Sequence, residues 1–394
     1  MKAKKTIILV LTVLVAGMAV FLLWPGNYYV HRALLHTYPK IDQYPIFENR
    51  VVKAGDPCPP IYTAGAANRK IDTCFEKDFA AYGTVAFLVL KDGKIHAEQY
   101  WENYGAASHS NSFSMAKSIV SLLVGCAIAD GYIQSVEQPV SDFLPEWGSF
   151  DGQPLLIRHL LTMSAGVKWD ESSTSLFSTT TEAYYGKDLW SLAKRETLIE
   201  TPGKYFNYQS GVTQILAFLL KKATGRNIAD YASEKIWTPI QAEEDALWSL
   251  DRKDGMEKAY CCFNSNARDF ARLGQLVLQN GYWLDKKTAT RISVVDSAYV
   301  AQAITPARYL TARLPDGTES ACTMYGYQFW MLNYKGYDVK YFRGILGQYI
   351  LVIPDLNAVI VRLGHKRSTE YDPVYDYPVD INLWLDAGLA LLER

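Results

Sequence analysis

Two apolar strands joined by a tight turn early in the chain, three more near its end and a helical stretch between them predict an α+β fold. Its core is one antiparallel sheet completed by both chain ends, with flanking helices and a helical subdomain. The early pair runs from Thr84 to Leu90 and from Ile95 to Trp101, rich in β-branched and apolar residues, with Asp92-Gly93 at the hairpin turn. The late strands fall near 326–334, 346–353 and 358–363, the last two linked by Pro354 to Asn357. Between Ser114 and about residue 300 the apolar residues recur at helical spacing, and a closing helix is expected near 378–392.

Taken in order, the chain opens with Lys2, Lys4 and Lys5, then runs from Thr6 to Trp24 without a charge. At 1.5 Å per residue that run is about 28 Å long, enough to cross a hydrocarbon core. Val20 to Trp24 continue the apolar stretch past Gly17-Met18-Ala19, the small-residue candidate for cleavage, which favours an anchor over a cleaved signal. The leading lysines place residues 1–5 in the cytoplasm as a stub, residues 6–24 across the inner membrane and the remainder outside, facing the periplasm. Residues 25–69, rich in Pro and Tyr without clear periodicity, are expected to be a tether, and residues 70–394 the main domain.

With 40 basic and 41 acidic residues the charge is balanced, which argues against nucleic acid as a partner. Six cysteines are too few for a disulfide scaffold; Cys58 with Cys74 can staple the N-terminal extension, and Cys126, inside an apolar helix, reads as a buried free thiol. The six histidines are scattered, none paired at ligand spacing, so no metal site is expected. Gly-x-Ser-x-Gly, His-Glu-x-x-His, P-loop and Gly-x-Gly-x-x-Gly signatures are missing from the sequence.

Ser114-Met115-Ala116-Lys117 puts a hydroxyl and an amine one helical turn apart. A serine hydroxyl is a poor nucleophile until a base takes its proton, and residues three apart share a helix face. The residues after Lys117, Ser118 to Ala129, are apolar nearly all round, as in a helix buried in a core. Burial strips the hydration that stabilises an ammonium, and Ser114 at the helix N-terminus gains from the positive end of the dipole. A second pair, Ser191 and Lys194, is followed by Arg195, Glu196 and Thr197, a solvated face, and reads as structural.

Ser114-x-x-Lys117 resembles the first motif of the serine β-lactamase and penicillin-binding-protein superfamily. His159 to Gly166 is similar to the H-L-L-T-M-T-S-G block of its class C-like branch, and Pro202 to Gly211 to the P-G-x-x-F-x-Y-S-S/N-G block. The resemblance continues through Ala223-Thr224-Gly225, Trp237 to Pro239, Asp269 to Gly274 and Tyr325 to Tyr327, running from about residue 70 to the C-terminus. It implies a β-lactamase-like fold, an acyl-enzyme on Ser114, Tyr208 as second proton carrier beside Lys117, and Ser210 as an auxiliary hydrogen bonder. The third family motif, K-T-G or H-T-G on an edge strand, aligns with Phe342-Arg343-Gly344, where neither Lys nor His stands. That departure and Gly344 to Gln348 look more like the 6-aminohexanoate-dimer hydrolase and esterase-type members.

The expectation is therefore a serine hydrolase that cleaves a small carboxylic ester or linear amide and needs no cofactor. The backbone amides of Ser114 and Ile345 are candidates for an oxyanion hole, worth about 3–4 kcal/mol per donor. Gly344 is expected to let substrate approach its strand closely. The rivals are a DD-peptidase or weak β-lactamase acting on cell-wall peptides, and a non-catalytic penicillin-binding-like sensor.

Overall fold

The computed structural model describes residues 2–58, 60–66, 69–172, 174–285, 287–313 and 317–393. The chain begins with helix α1 (Lys2–Leu23) and, after a 3₁₀ turn at Pro25–Asn27, continues into α2 (Tyr28–His36). Asn27 closes α1 by donating its amide N–H to Trp24 O at 2.8 Å and its side-chain Nδ2 to Phe21 O at 2.9 Å. These bonds satisfy carbonyls a helix C-terminus leaves unpaired.

Six antiparallel strands form the main sheet: β1 (Thr84–Lys91), β2 (Lys94–Tyr100), β3 (Trp330–Tyr334), β4 (Tyr337–Gly344), β5 (Gln348–Ile353) and β6 (Ala358–Gly364). Their order is β3-β4-β5-β6-β1-β2, so the early hairpin docks on the late meander, the predicted α+β arrangement. Asp92 and Gly93 both have positive φ at the first hairpin turn, as the Asp-Gly pair requires. The sheet has one strand more than expected. Lys335-Gly336, also both at positive φ, makes a second two-residue hairpin that separates β3 from β4. Asp338 and Lys340 interrupt the apolar pattern of β4 and pair with each other at 2.7 Å, which hid the strand. Phe342-Arg343-Gly344 thus lies on the strand next to the edge; β3 is the edge.

Helices α3 (Met115–Ala129), α4 (Ser210–Thr224), α5 (Ala267–Leu278) and α6 (Asp380–Leu392) complete the frame. A Cβ at Gly274 of α5 would meet Val359 and Ile350, and one at Gly388 of α6 would meet Ile360, both inside van der Waals contact. Val359 and Ile360 point to opposite faces of β6, so the two helices sandwich the sheet.

Two expectations are corrected. Within the expected tether, residues 25–69, two described stretches fold onto the body rather than extending as a spacer: α2 buries Val30 and Ala33, and the strand Asn49–Val52 pairs with Ala246–Ser249. That strand belongs to a four-stranded sheet that continues through Phe263–Ser265 to Ser110–Asn111. The segment is short in periodic runs because its pairing partners lie about 200 residues away. The Cys58–Cys74 staple is not formed either, since Cys58 is a free thiol whose carbonyl is held by Arg272 Nη2 at 2.6 Å. The disulfide joins the neighbours Cys261 and Cys262 instead. Cys126 is a buried free thiol within α3.

Candidate active site

Ser114 stands immediately before α3 on a turn braced from two sides. Ser112 N–H donates to Phe263 O at 2.8 Å, Phe113 N–H donates to Asn111 Oδ1 at 2.8 Å, and Phe113 takes a left-handed φ of 44°. A non-glycine residue held there signals local strain that the surroundings impose. The Ser114 hydroxyl makes no cap bond to the helix it precedes, which leaves it available to Lys117. Lys117 is 1 % exposed and its Nζ has three neighbours: Ser114 Oγ at 3.0 Å, Ser210 Oγ at 3.1 Å and Tyr260 O at 2.9 Å.

Proton bookkeeping gives this triangle a direction. The Tyr260 carbonyl can only accept, so one Lys117 N–H points there. Ser210 Oγ donates its own hydrogen to Glu171 Oε1 at 2.6 Å, while Ser210 N–H donates to Glu171 Oε2 at 2.7 Å. Ser210 Oγ must then accept the second Lys117 N–H. The third direction of Lys117 Nζ faces Ser114 Oγ.

The second block of residues arrives through packing against the first. Gly203 N–H donates to Ser164 O at 2.8 Å, Asn207 N–H to Met163 O at 2.7 Å, and Gln209 Nε2 to Val167 O at 2.8 Å. Gly203 has φ 81°, and a Cβ there would lie 2.7 Å from His159 Nε2, so the His159 ring requires glycine at that turn. Desolvation lowers the His159 imidazole to about 4, keeping it neutral against the turn. These contacts bring the Tyr208 ring, centred 5.0 Å from Lys117 Nζ, onto Trp330 and Tyr325.

Glu171 escaped the sequence reading. It lies in the irregular stretch after Gly166, where Trp169-Asp170-Glu171 matches no motif, and the only clue is the glycine after Ser210. A Cβ on Gly211 would collide with the Trp169 ring; that contact seats Trp169 on α4 and aims Glu171 at Ser210. Loss of hydration raises the Glu171 carboxyl above the ordinary carboxylate value, opposed by Lys117 and the Ser210 donors.

Ser114, Tyr208, Ser210, Gly344 and Ile345 all line one cavity of about 640 Å³, with Glu171, Tyr260, Cys261, Arg343 and Arg367. The close approach at Gly344 is that of the chain itself: a Cβ would collide with Ser112 O, so the glycine presses β4 against the serine turn. The following turn, with Leu346 at φ 63°, is tied from below by the fully buried Arg362, which donates to Leu346 O at 3.0 Å and Gly347 O at 2.8 Å. Arg343 lies 3.3 Å over the Trp330 ring centre and donates to Asp376 O at 2.5 Å. Ser191 and Lys194 sit elsewhere: Ser191 Oγ donates to Asp188 at 2.8 Å, and the exposed Lys194 pairs with Glu146 at 3.4 Å.

One part of the cavity lining is unexpected. Ala33, Leu34, Thr37, Tyr38 and Pro39, from α2 and the turn beyond it, line the same cavity as Ser114.

Residues 71–381 match the model of the family described as Beta-lactamase. The 6-aminohexanoate-dimer hydrolase of Paenarthrobacter ureafaciens is 26% identical over 323 residues, covering 78% of this chain and 79% of that protein. Among solved structures, a Bacillus anthracis protein described as a 6-aminohexanoate-dimer hydrolase superposes with a TM-score of 0.72 at 18% identity, covering 90% of this chain and 92% of that one. A family VIII carboxylesterase does so with a TM-score of 0.60 at 15% identity, covering 84% of this chain and 99% of that one.

Proposed function

Because the chain belongs to the Beta-lactamase family, within which its relatives include amide and ester hydrolases, we propose that it is a serine hydrolase acting through an acyl-enzyme on Ser114. The observation that carries this reading is the Lys117 triangle: two N–H groups committed to Tyr260 O and Ser210 Oγ, with the third direction 3.0 Å from Ser114 Oγ. As Ser114 Oγ attacks the carbonyl carbon of an ester or linear amide, its proton passes to Lys117 Nζ. The Ser114 and Ile345 amides hold the oxyanion. Lys117 and Tyr208 return the proton to the departing oxygen or nitrogen, the bond to the leaving group breaks, and the acyl group stays on Ser114. Water then gives up a proton to the same relay and adds to the acyl carbon; Ser114 Oγ leaves with a proton restored and the acid departs. Glu171 acts through Ser210, keeping its hydroxyl turned away from Lys117.

The helix α1, with a mean hydropathy of 2.4 from Lys4 to Leu22 and no burial against the body, acts as a single-pass inner-membrane anchor with residues 25–394 on the periplasmic side.

The test is a fluorophosphonate label read by mass spectrometry. The adduct is expected on Ser114 and absent from Ser114→Ala. An adduct elsewhere, or none with short-chain esters left intact, overturns the assignment. Faster turnover of a reporter β-lactam than of esters or linear amides would move the substrate class to the cell-wall reading.

A further inference from the structure

The cavity wall and the anchor are neighbours in the chain. Helix α1 ends at Leu23 and α2 starts at Tyr28, only a 3₁₀ turn later, and Leu34 on α2 already lines the Ser114 cavity. At 1.5–2 Å per residue through the 3₁₀ turn and α2, the opening lies within about 20 Å of the last residue of the apolar span, whichever way α2 points. The headgroup layer occupies roughly the first 6 Å of that distance. An opening so tethered cannot leave the membrane surface.

The side chains around the opening match that position. Three separate segments meet there, and each contributes one residue or more to the lining and an apolar side chain to solvent. Leu34 and Tyr38 line the cavity at 51% and 43% exposure, Leu176 at 37% and Tyr371 at 36%; close to them in the chain but outside the lining, Leu35 and Phe177 are each 66% exposed and Val374 is 58% exposed. Large apolar groups converging from three segments on one mouth exceed the scattered exposure normal for a surface in water. Arg367, in the same wall with its guanidinium 5.6 Å from the Tyr371 ring, gives the mouth a cation at headgroup level.

We propose that the enzyme draws its substrate from the bilayer: a long-chain amphiphile, with a carboxylic ester or amide near its polar end, passing from the lipid leaflet over the Leu35, Phe177 and Val374 rim to Ser114. This deepens the serine-hydrolase and anchor assignments and rests on both. The bond chemistry is that given above, with the leaving alcohol or amine taking the relayed proton and the long-chain acid returning to the membrane after water adds.

The experiment uses the full chain reconstituted in phosphatidylcholine vesicles with two fluorogenic esters, umbelliferyl palmitate in the bilayer and umbelliferyl acetate in solution. Palmitate is placed either in the enzyme's own vesicles or in separate ones. Sharing a surface is expected to raise turnover on the order of tenfold, the gain from a higher effective concentration. In the variant Leu35→Ser/Phe177→Ser/Val374→Ser that advantage falls toward one, with acetate turnover reporting that the site is folded. Acetate cleavage and Ser114 labelling with equal palmitate rates in shared and separate vesicles, or with no palmitate cleavage, overturns the bilayer route alone. Loss of both esters together with Ser114 labelling overturns the hydrolase assignment and this inference with it.

Discussion

Replacing Glu171 by Gln probes the proton bookkeeping at the far end of the hydrogen-bonded relay, at a residue bonded to Ser210 but to neither Ser114 nor Lys117. The carboxylate accepts from both Ser210 donors, Oγ at 2.6 Å and N at 2.7 Å, and an amide of the same shape cannot. With the amide oxygen kept on the Ser210 N–H, the introduced NH₂ group faces Ser210 Oγ, whose hydrogen then swings toward Lys117 and occupies the lone pair meant for Ser114. The loss is one hydrogen bond to a charged group, about 1.5–3 kcal/mol, equivalent to roughly ten- to a hundredfold in kcat/KM. The assay is turnover of a water-soluble ester against pH, together with the rate of fluorophosphonate labelling. The native profile should carry an acid limb set above the ordinary carboxylate range, because desolvation raises Glu171 and its protonated form no longer binds the Ser210 hydroxyl as an acceptor pair. E171Q should lack that limb. Because the effect passes through Ser210, Ser210→Ala/Glu171→Gln should cost no more than the worse single change. Full turnover in E171Q, or losses that simply multiply in the double variant, would refute the relay.

Four other outcomes are expected. Ser114→Ala and Lys117→Ala should each lower turnover on the order of 10⁴-fold or more, while Lys194→Ala, on an exposed pair with Glu146, should stay within about twofold. Replacing Cys261 and Cys262 by Ser should barely move the denaturation midpoint, since a bridge between neighbours closes almost no loop, yet should lower turnover by about tenfold as the Tyr260 carbonyl loosens from Lys117. Arg362→Met should destabilise by about 3 kcal/mol or more in chemical denaturation, because it strands the carbonyls of Tyr82, Leu346, Gly347 and Lys366. The protein should lose stability as pH falls from 6.5 toward 4, because unfolded His159 gains a proton that the native site, with its imidazole lowered to about 4, refuses. The ceiling is about 3 kcal/mol, and His159→Gln should flatten that slope in thermal melts.

Local patterns carried most of the fold. The Asp92-Gly93 hairpin, the apolar helix after Lys117 and the Pro354–Asn357 link are each written in a short local run, and each forms as expected. Strand β4 was hidden because its Asp338–Lys340 pair masks a sheet-period pattern. The Lys117 contact to Ser114 was legible because it spans one helical turn, whereas Glu171 reaches Ser210 over 39 residues of chain and Tyr260 reaches Lys117 over 143. The α2 wall is likewise far from Ser114 in sequence. Such partners leave no spacing signal; only the glycines that admit them, such as Gly211 and Gly344, mark where something large or close must pass.

The family match begins at residue 71, while Ala33, Leu34, Thr37, Tyr38 and Pro39 line part of the cavity. Under the proposed function, bond cleavage and substrate admission are thus written in separable stretches of the chain. A leader can be exchanged, lengthened or trimmed and so resize the entrance while every group that breaks the bond stays where it was. Diversification of what such an enzyme accepts can proceed by swapping its leash.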